Sequence, residues 1–222
     1  MKFKHTEVMN FEGALRGMRN PLNSWTKSDS KIVWEYGKMP HYEIGPNDMD
    51  LAKRLIAGGN EHRKFLRQIM VSVDITAPLY WWKEFDTYKV GTTANSTSTM
   101  HKLASTPITL DCFETDDYCP DLVYFTHDGD TLTDYTISDI VSNIIEDLEA
   151  LRQKYNETGD KRYWKELIRL LPNGWLQTRT ITMNYENLRS MYHQREHHKL
   201  TEWHSFCDWV KTLPYAQEFI ID

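Results

Sequence analysis

The stretch QIMVSVDITAP, residues 68–78, decides the fold class, because apolar and polar side chains alternate along it. A period of two places the apolar side chains on one face of an extended chain, and β-branched residues favour that conformation. The apolar positions are Ile69, Val71, Val73 and Ile75. The pattern predicts a half-buried strand that Pro78 ends, followed by an aromatic-rich helix in LYWWKEFDTYKVG, residues 79–91.

Helical periodicity describes most of the remaining chain. Residues 136–155, TISDIVSNIIEDLEALRQKY, predict an amphipathic helix that Thr136 can cap. Shorter helices are predicted near the N-terminus and over 47–59, 161–172, 185–195 and 200–213. Residues 176–185, LQTRTITMNY, predict a second strand, and residues 110–135 predict an acidic, irregular surface excursion. This order predicts one domain over 1–222, α/β or α+β, with a small sheet.

Composition narrows the possible functions. The 222 residues carry a formal net charge of −6 and no long basic block, which disfavours a nucleic-acid polymer as partner but leaves a mononucleotide possible. Three cysteines without a CxxC pair disfavour disulfides and cysteine-rich zinc sites. Without a long apolar run, we expect no membrane span and a cytoplasmic protein. Eight Trp and twelve Tyr are typical of cores, subunit interfaces and ring-binding pockets.

Residues 187–204, NLRSMYHQREHHKLTEWH, contain the first candidate for chemistry. Arg195 continues the helical apolar series of Leu188, Met191 and Tyr192. An arginine on an inward stripe needs a partner, which is either a structural carboxylate or a bound anion such as phosphate. The residues alone leave both open.

The histidines of the same stretch suggest a second possibility. His193 and His197 form an HxxxH pair, one helical turn apart, which zinc can use. Gln194 stands where a zincin motif has Glu, and a helix break near 196–199 would spoil the spacing. Solvated or capping histidines are therefore favoured over a metal site.

Two more segments are polar enough to bind a ligand. Arg169 lies in the last turn of a predicted helix, where it either complements the helix dipole or reaches into a cleft. Residues 92–102, TTANSTSTMHK, are rich in small donors and acceptors and are either a polar turn or part of a site. No glycine-rich phosphate loop and no nucleophile elbow occurs.

Together these pieces resemble the flavin-dependent thymidylate synthases over about residues 45–213. That family has a Gly-His-Glu-type segment, an alternating strand ending in Ala-Pro, and an aromatic helix, matched here by GGNEHRKFLRQIMVSVDITAP and LYWWKEF. Its Arg-His-Arg signature with Ser-x-Asn-Glu-x-Ser-x-Arg-Tyr is matched by YKVGTTANSTSTMHK. Its late Arg before Leu-Pro, strand, Asn and helix are matched by IRLLPNGWLQTRTITMNYENLRSMYHQR. The resemblance implies a small, mainly antiparallel central sheet flanked by helices.

The resemblance also implies roles for individual residues. Arg169 and Arg195 match the arginines that hold deoxyuridine monophosphate, and Asn95, Ser96 and Ser98 lie in the matching signature. Ser98 and Arg195 are the implied catalytic residues. The implied flavin-side residues are Lys89, Asn95, His101, Asn184 and Gln68. FAD, methylenetetrahydrofolate and NADPH are the implied cofactors, dUMP or a related pyrimidine nucleotide is the implied substrate, and a homotetramer is the implied assembly.

The signature departs from the family mainly on the flavin side. Tyr88, Lys89 and Val90 replace the Arg-His-Arg triplet, and Ser96 replaces the signature Glu. Met100 and His101 replace the signature Arg and Tyr, and Glu186 replaces an Arg after the late Asn. Three hypotheses follow: an FAD-dependent thymidylate-synthase-like enzyme, a nucleotide-binding or sensing protein that has lost flavin, and a structural scaffold with Arg195 in a salt bridge.

Overall fold

The alternation of residues 68–78 forms a strand whose one face is fully buried. A computed structural model describes residues 1–37, 40–98, 102–129 and 132–222. Its strands are β1 Lys2–Met9, β2 Lys31–Val33, β3 His41–Glu43, β4 Met70–Pro78, β5 Thr93–Ser96, β6 Val123–His127, β7 Thr133–Thr136 and β8 Leu176–Asn184. Val71, Val73 and Ile75 of β4 are each 0% exposed, which confirms the predicted strand.

The predicted helices form, but the aromatic-rich helix was predicted too long, since it ends at Phe85 rather than at Gly91. They are α1 Phe11–Arg19, α2 Pro46–Ala57, α3 Leu79–Phe85, α4 Ile137–Thr158, α5 Lys161–Leu170, α6 Tyr185–Arg195 and α7 Thr201–Lys211. Thr136 precedes α4 and forms reciprocal contacts with Asp139, whose Oδ2 accepts the Thr136 N–H at 2.6 Å. The chain closes with a short π-helical turn, Gln217–Ile221. No helix within the described residues is long and apolar enough to cross a membrane.

The strands form one larger and two small sheets. The larger sheet has the order β1-β4-β8-β5, is antiparallel and is flanked by helices, which confirms the predicted fold class. The small sheets are the antiparallel pairs β2–β3 and β6–β7. The prediction that 110–135 is irregular was wrong for its second half, because β6 and β7 pair there. Their side chains are mostly exposed, so burial imposes no alternation that could mark them as strands.

The chain divides into two compact units. Unit 1 comprises Met1, Thr76–Phe85 and Ser96–Arg179, and unit 2 comprises Lys2–Ile75, Asp86–Asn95 and Thr180–Asp222. Three of the boundaries fall inside β4, β5 and β8, and another follows the end of α3 at Phe85. Each unit has buried apolar residues of its own.

In unit 1, α4 packs against α5 over a small core. Four residues form its buried centre: Leu103, Ile108, Leu148 and Leu167. Seven apolar positions of residues 136–155 form the predicted stripe of α4, and of these only Leu148 is buried. The others are half-buried: Ile137, Ile140, Val141, Ile144, Ile145 and Leu151. The strand pair β6–β7 adds exposed Tyr124 and Phe125.

Unit 2 has a larger interior that is rich in aromatic rings. Phe206 contacts Trp203 edge-on at 5.4 Å and Trp209 at 5.5 Å between ring centroids. Phe219 likewise contacts Phe65 edge-on at 5.7 Å. Such pairs add to the stabilisation that burial of the rings provides.

A buried ion pair joins α1 to α2 in unit 2. The Nε of Arg19 donates to Oδ1 of Asp48 at 2.5 Å, and both side chains are at most 4% exposed. Asp48 also accepts from the hydroxyls of Ser28 and Ser30, at 2.7 and 2.6 Å. Burial acts to raise the pKa of Asp48, but the hydrogen bonds from Ser30, Ser28 and Arg19 outweigh it and leave the pKa below its usual value. This network fixes the loop between the two helices.

Candidate functional site

The N-terminus of α6 is closed by two asparagines that cap each other. The side-chain oxygen of Asn184 accepts the N–H of Asn187 at 2.9 Å, and that of Asn187 accepts the N–H of Asn184 at 3.2 Å. The N–H of Tyr185 donates to the C=O of Ile69 at 3.0 Å, so the beginning of the helix lies beside the start of β4. This double cap satisfies backbone donors that a helix end would otherwise leave open.

The segment before β5 packs on this cap. The Nδ2 of Asn187 donates to the C=O of Val90 at 2.7 Å. Gly91 has φ +78°, and a Cβ there would lie 2.9 Å from Oδ1 of Asn187 and 3.1 Å from Nδ2 of Asn184. Only glycine combines this backbone angle with so close an approach. The turn therefore fixes the path of the chain on both sides of Lys89.

At the other end of α6, Arg195 lies between two aromatic rings. Its guanidinium carbon is 4.8 Å from the ring centroid of Trp203 and 5.6 Å from that of Tyr88. Its Nε donates to the hydroxyl of Tyr88 at 2.8 Å, and that hydroxyl donates to Oε1 of Gln194 at 3.2 Å. A planar guanidinium suits this arrangement better than an ammonium group does, because it stacks on ring faces.

The segment 88–91 thus contacts α6 near both ends. Tyr88 lies at the Arg195 end, and Gly91 lies at the Asn184 end. Of the predicted site residues, Asn184 and Arg195 lie at the two ends of α6, and Lys89 lies in the segment that contacts both ends and is exposed.

The other charged residues of α6 contact different partners. Glu186 accepts from Nε of Arg63 at 2.9 and 3.1 Å, and both side chains are at most 22% exposed. Arg189 donates to the C=O of Ile220 at 3.0 Å, and burial together with the charge of Arg63 lowers its pKa. Glu186, which stands where the family resemblance implies an arginine, therefore forms an ion pair with Arg63 within unit 2.

Two predicted residues of unit 2 lie away from these contacts. The side chain of Gln68 faces α1, since a Cβ on Gly17 would lie 2.7 Å from its Oε1. Its C=O accepts from Nδ2 of Asn10 at 2.9 Å. Asn95 is exposed on β5. Neither position is fixed by the segment 88–91 as Arg195 is.

The remaining predicted residues belong to unit 1. Arg169 is 61% exposed, and its Nη1 donates to both carboxylate oxygens of Glu166 at 2.8 and 3.0 Å on the same helix. Ser96 is the exposed last residue of β5, and the C=O of half-buried Ser98 accepts the N–H of Lys102 at 3.2 Å. His101 lies outside the described residues.

The histidines near Arg195 do not share one helix face. The helix α6 ends at Arg195, so His197 lies beyond it while His193 lies on it. The Nδ1 of His198 accepts the N–H of Leu200 at 3.2 Å, which is a capping contact of the turn before α7. Across residues 1–37, 40–98, 102–129 and 132–222, no group of three or more His, Cys, Asp or Glu side chains is placed to hold a metal ion.

Two ring contacts were not predicted from the sequence. Trp203 reaches Arg195 only because the chain reverses between α6 and α7, and no local spacing signals this. In unit 1, Arg179 lies 4.3 Å from the ring centroid of Trp82, and Nε1 of Trp82 donates to the C=O of Gln177 at 2.9 Å. The alternation of residues 176–185 predicted the strand β8, but it did not predict that Arg179 contacts the ring of Trp82.

Known structures with this arrangement of helices and strands exist. The chain superposes on flavin-dependent thymidylate synthase ThyX from Helicobacter pylori complexed with FAD and dUMP, with a TM-score of 0.67 and 15% identity over 99% of this chain and 98% of that chain. The fold is that of the flavin-dependent thymidylate synthases. A second structure of ThyX from Helicobacter pylori, with FAD and dUMP, gives a TM-score of 0.66 and 16% identity over 99% of this chain and 95% of that chain. No protein-family profile matches the chain, and no curated protein sequence does.

Proposed function

We propose that this chain is an FAD-dependent, thymidylate-synthase-like enzyme that acts on a pyrimidine deoxynucleotide, in a reaction of the dUMP-to-dTMP type. The observation that carries the proposal is the similarity over the whole chain to an enzyme whose structures hold FAD and dUMP. The aromatic support of Arg195, at the position that the family resemblance assigns to nucleotide binding, agrees with it.

On the nucleotide side, Arg195 is the proposed anchor of the phosphate or base. Its two aromatic neighbours and the Tyr88 hydroxyl restrict its rotamers, so less entropy is lost when it binds an anion. Asn95, Ser96 and Ser98 supply further hydrogen-bonding groups, and Ser98 is proposed to lie beside the pyrimidine. Arg169 would exchange its exposed contact with Glu166 for the phosphate, which costs little because exposed ion pairs are weak.

On the flavin side, the donor set fits only in part. Lys89 is exposed and can neutralise one phosphate oxygen, but it lacks the two-pronged fork of an arginine. Asn95, Asn184 and Gln68 are the proposed uncharged contributors, together with His101. Bound FAD would supply a hydride, methylenetetrahydrofolate the one-carbon unit, and NADPH the reducing equivalents. The protein would contribute binding and orientation.

One observation favours a second candidate, a nucleotide-binding or sensing protein that has lost flavin. Tyr88 stands at a flavin-gripping arginine position of the family, and here its ring and hydroxyl contact Arg195. Val90 offers no side-chain donor at the third position. The two candidates share the nucleotide site and differ in the cofactor.

The proposed assembly is a homotetramer. The apolar stripe of α4 is mostly half-buried, and large apolar side chains of the β6–β7 pair are exposed. Such surface is typical of a subunit interface.

The first experiment is a calorimetric dUMP titration together with an absorbance spectrum before and after FAD is added. Flavin bands plus dUMP binding support the enzyme, and dUMP binding without flavin supports the second candidate. Loss of a charge-assisted hydrogen bond of about 1.5–3 kcal/mol should make Arg195→Ala bind dUMP about 10–100-fold more weakly. Tyr88→Phe keeps the charge and should weaken binding less.

The control is Arg54→Ala, because Arg54 forms an exposed ion pair with Asp50. This variant should bind dUMP as the wild type does. An Arg195→Ala protein that keeps the wild-type circular dichroism spectrum and the wild-type dUMP affinity would refute the nucleotide site. Tyr88→Phe extends the test if the alanine variant does not fold.

A further inference from the structure

A cleft of about 760 Å³ lies in unit 2 between α1, the β2–β3 pair and residues 214–215. It shares no lining residue with the Arg195 contacts. Its volume falls within the roughly 300–1,000 Å³ of small-molecule sites.

The walls of the cleft are largely aromatic. Phe11, Tyr42 and Tyr215 line it, and Trp34 and Ile32 flank them from the β2–β3 pair. Trp34 is 77% exposed and Ile32 is 50% exposed, although both are large apolar side chains. Ring faces gathered around one space suit a planar aromatic ligand, which stacks on them.

Hydrogen bonds hold the wall opposite α1 in place. The Tyr215 hydroxyl accepts the N–H of Ile44 at 3.0 Å and donates to the C=O of Tyr42 at 3.1 Å. The Tyr185 hydroxyl donates to the C=O of Pro214 at 2.7 Å. The Tyr215 ring also meets that of Phe11 edge-on at 5.6 Å. The cleft is therefore formed before any ligand binds, which lowers the entropy cost of binding.

Two residues of the cleft adopt left-handed backbone conformations. Tyr215 has φ +55° and Asn10 has φ +70°. Asparagine tolerates this region, but for a bulky tyrosine it is uncommon and costs free energy. The hydrogen bonds of the Tyr215 hydroxyl keep the residue in this conformation, so its ring stays at the cleft wall.

The lining of the cleft includes one guanidinium, that of Arg16, and one carboxylate, that of Glu12. Arg16 and Glu12 lie one turn apart on α1, with 4.0 Å between Nη1 and Oε1, and both are more than 60% exposed. So long and exposed a pair contributes little, and the Arg16 fork can turn to a carboxylate, phosphate or sulfonate.

We propose that this cleft binds a planar aromatic compound that carries an anionic substituent. The rings of Trp34, Tyr42 and Tyr215 contact the planar part, and Arg16 pairs with the anion. This site does not depend on the proposed nucleotide chemistry, because none of the residues assigned to that chemistry lines it.

The test uses two fluorescent probes of nearly equal shape with the full-length protein. The probe 1-anilinonaphthalene-8-sulfonate has the planar rings and the anion, and N-phenyl-1-naphthylamine has the rings alone. We expect the sulfonate to bind at least threefold more tightly. Trp34→Ala should weaken its binding about fivefold to tenfold, since one stacking surface is lost. Tyr124→Ala, which removes an exposed ring from unit 1, should leave it unchanged.

The charge assignment is tested on α1. Arg16→Gln should weaken binding of the sulfonate to about the level of the neutral probe, and Glu12→Gln should strengthen it about twofold because a repulsive charge is removed. The site would be overturned if wild type and Trp34→Ala bound the sulfonate probe equally well, or if the wild type did not bind it. Weaker binding to Glu12→Gln would overturn the anionic class. Since dUMP titrations of these variants should match the wild type, a failure here is distinguishable from failure of the proposed function.

Discussion

Two regions of this chain bury their aromatic rings to different extents. In unit 2, the interior around α6 and α7 encloses its rings, and Trp203, Phe206 and Phe219 are each 0% exposed. In unit 1, the β6–β7 pair leaves Tyr124 and Phe125 53% exposed. A region that encloses its rings is stabilised within one chain. The β6–β7 pair, by contrast, presents apolar surface that a partner chain would cover, which agrees with the proposed homotetramer.

The largest difference that we expect concerns the charged pairs. Arg19→Ala removes one partner of the buried pair and leaves Asp48 without its cation. We therefore expect the free energy of unfolding to fall by about 3–5 kcal/mol. Lys154→Ala in unit 1 breaks a pair with Glu157 that is more than half exposed, and its effect should stay within about 0.5 kcal/mol. Urea denaturation followed by circular dichroism measures both. Similar effects for both variants would contradict the contrast between the buried pair and the exposed pair.

A smaller difference is expected for apolar truncations. Leu188 on α6 is 0% exposed, so Leu188→Ala should cost about 2–4 kcal/mol. Ile144 on α4 is half-buried, and Ile144→Ala should cost about 1 kcal/mol in the dissociated chain. Denaturation at low protein concentration isolates the single chain. If Ile144→Ala costs as much as Leu188→Ala there, α4 is completed within its own unit.

The smallest effect concerns Glu149, a carboxylate of unit 1 that is hydrogen-bonded to Arg152. Hydrogen bonds from Arg152, at 2.6 and 2.7 Å, outweigh burial and lower its pKa to about 2. Because the pKa is depressed on folding, its contribution is fully present above pH 4.5 and is lost as the pH falls towards 2. Glu149→Gln should lower the free energy of unfolding by about 1–2 kcal/mol at pH 7. It should also make that free energy depend less on pH below pH 4.5. Denaturation at several pH values between 2 and 7 checks the slope. An unchanged slope would mean that another carboxylate controls it.

The sequence predicted the fold class and most helices because their patterns follow burial. In β4 every second residue is buried, so the alternation is visible. In β1, by contrast, the burial pattern is almost continuously exposed, and this strand of the larger sheet was not predicted. The strands β6 and β7 were missed for the same reason.

The candidate site was only partly predictable. Arg195 was identified because an arginine interrupts an apolar stripe, and such an interruption needs a partner. The partners themselves, Tyr88 and Trp203, are 107 residues before it and eight residues after it along the chain, and only the fold joins them. The ion pair of Arg19 and Asp48 escaped prediction because both residues lie in polar segments of ordinary composition.

The position of the unit boundaries constrains how this chain can change. Three of the boundaries fall inside β4, β5 and β8, and each unit is assembled from separate pieces of the polypeptide. No single cut releases either unit as a contiguous fragment. A crossover inside one of these strands would join two half-strands of different origin, so we expect the exchange of a single stretch of the gene to disrupt the larger sheet.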